Sequence, residues 1–205
     1  MVKQGDRLDQ VSRQFQCLCL EEGADQVPYL ALGLGHGGYD DVISPADERR
    51  IEKGMTLMLD TGLVWDGYFC DFNRNFLFAS PQEQQAQQSL LDAHCILIEA
   101  CDQAIALARP NLAISELWQC LSQSLKVTGN AGRLGHGLGM NLTEWPSIIA
   151  QEQMLLKENM VMTIEPCIPL DDGKMLVHEE NILITANGAR YLSQRSPKAM
   201  RLIDA

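Results

Sequence analysis

Apolar residues at helical spacing predict three helices. Val11, Phe15 and Leu18 recur three to four positions apart, as on the buried face of an amphipathic helix. Pro81 is typical of a helix start, and Gly129 is typical of a helix end. The predicted helices cover residues 9–22, 81–108 and 113–127.

The remaining apolar runs are rich in the residues that strands prefer. They predict strands over residues 56–64, 68–76, 160–165 and 175–184. Strands therefore stand on both sides of a helical block, which is the pattern of an α+β domain. Because no repeat, low-complexity segment or linker interrupts the chain, we expect one domain over residues 1–205.

Composition narrows the class of function. The 205 residues are 46% hydrophobic and carry 16 Lys and Arg against 27 Asp and Glu, for a net charge of −11. Such a surface repels nucleic acid and anionic lipid, so neither is an expected partner. No apolar run has the length of a membrane span and the start is not a signal peptide, so we expect a cytoplasmic protein. The seven scattered cysteines contain no C-x-x-C pair and are expected to be reduced.

A tight hairpin gives the first chemical signal. Asp66-Gly67 between two strand-like runs predicts a two-residue turn in which Trp65 pairs with Tyr68. That register places Asp60 and Asp71 diagonally on one face of the hairpin, with Cα atoms about 7–8 Å apart. Two such carboxylates could hold a pair of metal ions roughly 3.5–4 Å apart. The alternative is that Asp60 merely ends a strand and that Asp71 is exposed.

Three further residues of metal-ligand type follow downstream. His136 lies in G-H-G-L-G, Glu165 in T-I-E-P and Glu179 in H-E-E-N. Carboxylates with one imidazole suit Mn, Fe, Co or Zn. The period of two along a strand puts Glu179 and Glu180 on opposite faces, so only one of them can face a metal.

These motifs in this order resemble the pita-bread metallopeptidases, which include methionine aminopeptidase, aminopeptidase P, Xaa-Pro dipeptidase and creatinase. The resemblance implies a curved antiparallel sheet with helices packed on its outer face. It also implies two divalent metal ions: Asp60 binds one, His136 and Glu165 bind the other, and Asp71 and Glu179 bridge both. Glu165 is the implied proton shuttle.

The sequence departs from the peptidase pattern at two places. Peptide-cleaving members carry a second histidine seven residues after His136, where this chain has Thr143. The resemblance implies another histidine about 18 residues before the first metal Asp. In this chain the corresponding histidine, His36, lies 24 residues before Asp60. Three interpretations of the segment around His36 stay open. An insertion could bring His36 to the cleft as a catalytic group, or the segment could present Tyr39 to a substrate. The third is that the segment forms a plain surface turn.

Several functions stay open at this point. Trp145 follows the His136 loop closely enough to line a substrate pocket, although packing is its alternative role. The leading interpretation is a dinuclear-metal hydrolase of an amide or peptide C–N bond, similar to Xaa-Pro dipeptidases and acting on a short peptide or small molecule. The alternatives are a small-molecule enzyme of the creatinase, ectoine hydrolase or dimethylsulfoniopropionate lyase type, and a non-catalytic binding module. Longer relatives carry an N-terminal domain and an opening helix that this chain is expected to lack, and the apolar surface exposed by that difference would favour a homodimer.

Overall fold

A computed structural model describes residues 2–80, 82, 87–126 and 132–203. These residues form three α-helices, α1 (Leu8–Glu21), α2 (Gln88–Leu107) and α3 (Ile114–Ser124), and one short 3-10 helix (Asp171–Gly173). All three predicted helices are present. The predicted starts and ends at residues 81, 83–86 and 127 lie outside the described residues.

The described residues also form twelve strands. They are β1 (Gln26–His36), β2 (Met55–Trp65), β3 (Tyr68–Phe69), β4 (Phe72–Phe78), β5 (His136–Gly137), β6 (Glu144–Ser147), β7 (Val161–Ile164), β8 (Cys167–Pro169), β9 (Met175–Val177), β10 (Glu180–Thr185), β11 (Gly188–Tyr191) and β12 (Arg201–Ile203). The predicted strands at 68–76 and 175–184 are each interrupted, at residues 70–71 and 178–179. Both interruptions fall on or beside a predicted metal ligand.

The strands form two five-stranded sheets and a short pair. The first sheet has the order β1-β2-β4-β12, with β3 paired to β2, and the second has the order β11-β10-β7-β5-β6, while β8 pairs with β9. The expected antiparallel arrangement is incomplete, because β12 runs parallel to β4. A parallel pair needs a long return connection, and here the chain passes through all of the intervening elements before β12. The α+β class is confirmed.

The helices pack on the sheets through buried apolar faces. α2 contacts α3, β11 and β9, whereas α1 contacts β1. Leu97, Leu117 and Ile182 are fully buried in the main core between them. Leu8 and Leu32 belong to a smaller cluster beneath α1. No helix among the described residues is long and apolar enough to cross a membrane.

The hairpin forms in the predicted register. Trp65 pairs with Tyr68, and Asp60 pairs with Asn73. Asp66 and Gly67 both have positive φ, at 50° and 81°, as a turn matched to the strand twist requires. The Asp66-Gly67 turn determines which residue lies opposite Asp60 in the hairpin. This pairing was therefore predictable from local sequence alone.

Buried polar side chains join the first sheet to residues 177–181, a boundary that we call the seam. The links are Asp71 N to Asn181 Oδ1 (2.9 Å), Glu179 N to Asn73 Oδ1 (3.1 Å), Asn75 Nδ2 to Val177 O (2.7 Å), Arg74 Nη1 to Glu179 O (3.1 Å) and Arg74 Nη2 to Glu180 Oε2 (3.0 Å). Buried polar groups need such partners, because desolvation without a hydrogen bond is costly. The seam thus fixes how the two sheets meet.

Candidate metal centre

Three buried side chains meet at the seam. One ligand atom each from Asp71, His136 and Glu179 lies within 4.8 Å of the other two. His136 Nε2 is 3.4 Å from Asp71 Oδ2 and 3.9 Å from Glu165 Oε2. Two carboxylates and an imidazole at these separations form a donor set that suits a divalent cation.

Asp60 and Glu165 complete the acidic cluster. Burial is the main cause that raises the pKa of Asp60 to about 7. The negative charge of Asp71, and more weakly that of Glu165, raises it further. Burial, followed by the charges of Asp71 and Glu165, raises the pKa of Glu179 well above its usual range. Burial also raises the pKa of Glu165, so without a cation Asp60, Glu165 and Glu179 favour their protonated forms.

Two oxygens in this cluster lack partners. Asp60 Oδ1 and Glu179 Oε1 are buried and accept no hydrogen bond from the described residues. Buried carboxylate oxygens of this kind are expensive unless a donor or a metal faces them. The residues present therefore fit a divalent metal site.

The glycine loop orients His136. His136 Nδ1 donates to the Gly137 carbonyl at 2.9 Å, which leaves Nε2 free to face the carboxylates. Burial opposes the charged imidazolium, but the bonds to Asp71 and Gly137 outweigh it and raise the pKa of His136. Gly135 has φ +151°, and a Cβ there would collide with the Thr163 carbonyl oxygen. Only glycine fits at this point of the loop.

Two residues beside the cluster had no signal in the sequence. The Tyr29 hydroxyl lies 3.1 Å from Asp60 Oδ2 and 3.2 Å from the Val42 carbonyl oxygen, so it can donate to either. Arg133 Nε donates to Glu165 Oε1 at 3.0 Å. Tyr29 belongs to β1, which the sequence analysis did not identify as a strand. Tyr29 pairs with Gly62, two residues beyond Asp60. The closeness of Tyr29 to Asp60 therefore follows from the pairing of β1 with β2.

The prediction that His36 reaches the cleft is wrong. His36 is exposed at the end of β1, where it pairs with Met55, while Asp60 pairs with Ala31 five residues away. At about 3.3 Å per strand residue this separation is roughly 16 Å. His36 instead lines a different cavity, together with Asp171 and Lys174.

The prediction that Tyr39 contacts substrate is also wrong. Tyr39 is 1% exposed, and its hydroxyl accepts from Val177 N at 2.7 Å and lies 3.1 Å from Asn75 Oδ1. A tyrosine buried with its hydroxyl satisfied is a core residue. The glycines around Tyr39 are typical of a surface turn. Gly33 instead leaves space for the Tyr39 ring, because a Cβ there would collide with it.

Thr143 and Trp145 lie on the segment that follows the His136 loop. Thr143 is exposed, and Trp145 is 65% exposed on β6. β6 pairs with β5 through His136 and Ser147, so Trp145 lies on the strand next to the cluster and Thr143 directly precedes that strand. Their roles toward a substrate stay predictions.

A family model described as "Metallopeptidase family M24" matches residues 1–186. The chain belongs to metallopeptidase family M24. An "Xaa-Pro dipeptidase" of Pyrococcus furiosus is 30% identical over 204 residues, which is 94% of this chain and 55% of that protein. The M24 chain described here thus spans about half the length of the curated relatives that it matches first.

Solved structures agree with the M24 assignment. The prolidase from Pyrococcus furiosus superposes with a TM-score of 0.82 at 29% identity, over 96% of this chain and 58% of that one. The dipeptidase PepE from Mycobacterium ulcerans superposes with a TM-score of 0.83 at 25% identity, over 98% and 54%. These neighbours confirm the expected pita-bread fold.

Proposed function

We propose that this M24 chain is a dinuclear-metal hydrolase that cleaves a C–N bond in a short peptide or small amide. The observation that carries the proposal is the buried cluster itself: Asp71, His136 and Glu179 lie within 4.8 Å of one another, next to Asp60 and Glu165. The similarity to an Xaa-Pro dipeptidase supports the hydrolytic class.

The residues would divide the work by position. Asp60, Asp71, Glu179, Glu165 and the Nε2 atom of His136 would hold the cations. When bound, two divalent ions would supply Lewis-acid polarisation and an activated water. The chemistry of the donor set, mostly carboxylate with one imidazole, favours Mn, Fe, Co or Zn without selecting among them.

Glu165 is the residue best placed to move a proton. Its side chain is 18% exposed, against 8% for Asp71, so it lies on the open side of the cluster. A carboxylate there can take a proton from the attacking water and give it to the leaving nitrogen. Arg133 holds Glu165 Oε1 and so fixes the direction in which the other oxygen points.

Thr143 favours a second candidate function on the same centre. Where peptide-cleaving relatives are expected to carry a histidine, this chain has an exposed threonine, whose hydroxyl donates a hydrogen bond but carries no charge. Loss of one transition-state donor typically costs about 10²–10³ in rate. The second candidate is therefore a small-molecule enzyme of the creatinase type, in which a threonine at this position would be unsurprising.

One experiment tests both candidates. The purified protein is stripped of metal, reloaded with Mn, Co or Zn, and assayed for metal content and for hydrolysis of Ala-Pro, Leu-Pro, a panel of small amides, and creatine, whose C–N bond belongs to a guanidino group. We expect two ions per chain and metal-dependent cleavage of at least one substrate. Glu179→Gln should lose both metal and activity, whereas Glu158→Gln, at an exposed position, should lose neither. A chain that binds no divalent ion, or that hydrolyses equally well without it, contradicts the proposal.

A further inference from the structure

Arg133 lies on the open side of the metal centre. Its Nε donates to Glu165 Oε1 at 3.0 Å, and the other oxygen of that carboxylate is 3.9 Å from His136 Nε2. One carboxylate group therefore separates the guanidinium from the imidazole of the cluster. Exposure increases outward in the same order, because the side chains of His136, Glu165 and Arg133 are 2%, 18% and 43% exposed. The guanidinium thus lies at the mouth of the cluster.

Only one nitrogen of this guanidinium is in use. Nε is bonded to Glu165, whereas Nη1 and Nη2 form no hydrogen bond or ion pair with the part of the chain that the structure describes. Because the Arg133 side chain is 43% exposed, a ligand at the mouth of the cluster can reach these two atoms. A planar guanidinium presents neighbouring N–H donors in a fixed fork, which is the geometry that binds both oxygens of a carboxylate.

The positive charge of Arg133 is not cancelled in the proposed dinuclear state. No other Lys or Arg among the described residues forms an ion pair with the four carboxylates of the cluster. The negative charges of these four carboxylates balance the positive charges of two divalent cations, so the loaded donor set is close to neutral. Arg133 then leaves a net positive charge at the mouth, which favours an anionic group on the substrate.

The length of the substrate limits where that anionic group is attached. In a dipeptide, three bonds of about 1.33, 1.46 and 1.52 Å join the scissile carbonyl carbon to the carboxyl carbon, so these carbons are less than about 4.3 Å apart. Each further residue carries the carboxylate up to about 3.6 Å farther away. A guanidinium that is one carboxylate group away from His136 matches the shorter distance. Creatine has the same arrangement, because its carboxylate is also attached to the carbon next to the leaving nitrogen.

We propose that Arg133 is a specificity-determining residue that binds the carboxylate of the substrate through Nη1 and Nη2. It selects substrates in which a carboxylate is attached to the carbon next to the leaving nitrogen. The inference rests on the proposed hydrolytic function and deepens it, since it names a feature that Xaa-Pro dipeptides and creatine share. A longer peptide, or a substrate whose carboxylate is blocked, lacks this contact.

A comparison of the acid and amide forms of one substrate tests the proposal. With saturating Mn, kcat/KM is measured for Ala-Pro and Ala-prolinamide, and for creatine and creatinamide. We expect the wild type to prefer the acid by at least about tenfold, and Arg133→Gln to prefer it by less than about twofold. Any misplacement of Glu165 in this variant slows acid and amide alike, so the ratio reports on carboxylate recognition alone. Arg190→Gln removes the same charge from an exposed residue of β11, at the edge of the second sheet farther from β5, and should keep the wild-type ratio.

Binding measurements distinguish failure of this inference from failure of the proposed function. Isothermal titration calorimetry on the metal-loaded protein compares proline with prolinamide, the leaving halves of the first substrate pair. The wild type should bind proline at least about tenfold more tightly, and Arg133→Gln should bind the two about equally. If no substrate is cleaved, the proposed function fails and the calorimetric ratio decides the role of Arg133; otherwise the kinetic ratio decides it. A deciding ratio of about one in the wild type, an unchanged ratio in Arg133→Gln, or no binding of proline where calorimetry decides overturns the proposal.

Discussion

Replacement of Asp60 by asparagine should stabilise the protein when no metal is present. Asp60 is 7% exposed, with one oxygen 3.1 Å from the Tyr29 hydroxyl. Burial, followed by the charge of Asp71, raises its pKa from 3.8 to about 7. Asparagine keeps the shape and an acceptor for Tyr29 but has no charge to bury. The substitution therefore removes the electrostatic cost while leaving the packing nearly unchanged.

The size of the effect follows from proton linkage. Because the folded-state pKa of Asp60 is higher than the unfolded one, the folded protein holds a proton that the unfolded chain has already released. The corresponding stability is fully present below about pH 4 and is lost as the pH rises through about 7. At about 1.4 kcal/mol per pKa unit the loss reaches about 4 kcal/mol by pH 8, a large share of the roughly 5–15 kcal/mol that stabilises a domain.

Urea unfolding in a chelating buffer measures this loss. Between pH 5 and pH 8 the wild type should lose about 3 kcal/mol more than Asp60→Asn, since about two pH units of that interval lie below the folded pKa. Asp25→Asn, at an exposed carboxylate, should behave as the wild type does. With saturating Mn the order should reverse, because the variant has lost a ligand. Equal pH dependence of wild type and Asp60→Asn would refute the electrostatic reasoning.

Three further results are expected. Mn at about 100 times its dissociation constant should raise the free energy of unfolding by about 2.7 kcal/mol; an unchanged thermal transition after verified metal removal would count against the site. Tyr29→Phe should weaken metal binding about tenfold or more, because Asp60 loses the hydroxyl that orients it. Calorimetry measures this affinity, with Tyr68→Phe as the control, since Tyr68 is 63% exposed. Equal affinities of the two variants would exclude a positioning role for Tyr29. The wild type should cleave Ala-Pro with kcat/KM below about 10⁴ M⁻¹s⁻¹, and Thr143→His alone should not restore full activity; wild-type kinetics above that value would return the chain to the ordinary Xaa-Pro dipeptidases.

Local patterns predicted the parts of the fold that local interactions determine. The Asp66-Gly67 turn set the register that places Asp60, and the period of two separated Glu179 from Glu180, which pairs with Arg74 instead. The ordered motifs predicted five metal ligands, and the structure brings Asp71, His136 and Glu179 within 4.8 Å of one another, next to Glu165 and Asp60. These successes depend on turn geometry, strand periodicity and motif order, all of which are present in the sequence itself.

Strand β1 was missed because its composition argues against a strand. It contains Pro28 and two glycines within eleven residues, whereas glycine and proline usually weaken strands. Its place at the edge of the first sheet explains why proline is tolerated. The error extended to the residues on β1 and just after it, since the positions of Tyr29, His36 and Tyr39 all follow from its pairing with β2 and from the packing of the loop beyond it.

The seam makes metal affinity and the docking of the two sheets reciprocal quantities. Asp60 and Asp71 come from the first sheet and its hairpin, while His136, Glu165 and Glu179 come from the second sheet and its connections. Neither half carries a complete coordination shell, so any condition that loosens the contact between the halves must lower metal affinity by the same free energy that metal contributes to that contact. The affinity for a cation at this site therefore measures how firmly the two sheets dock, not the stability of either sheet alone.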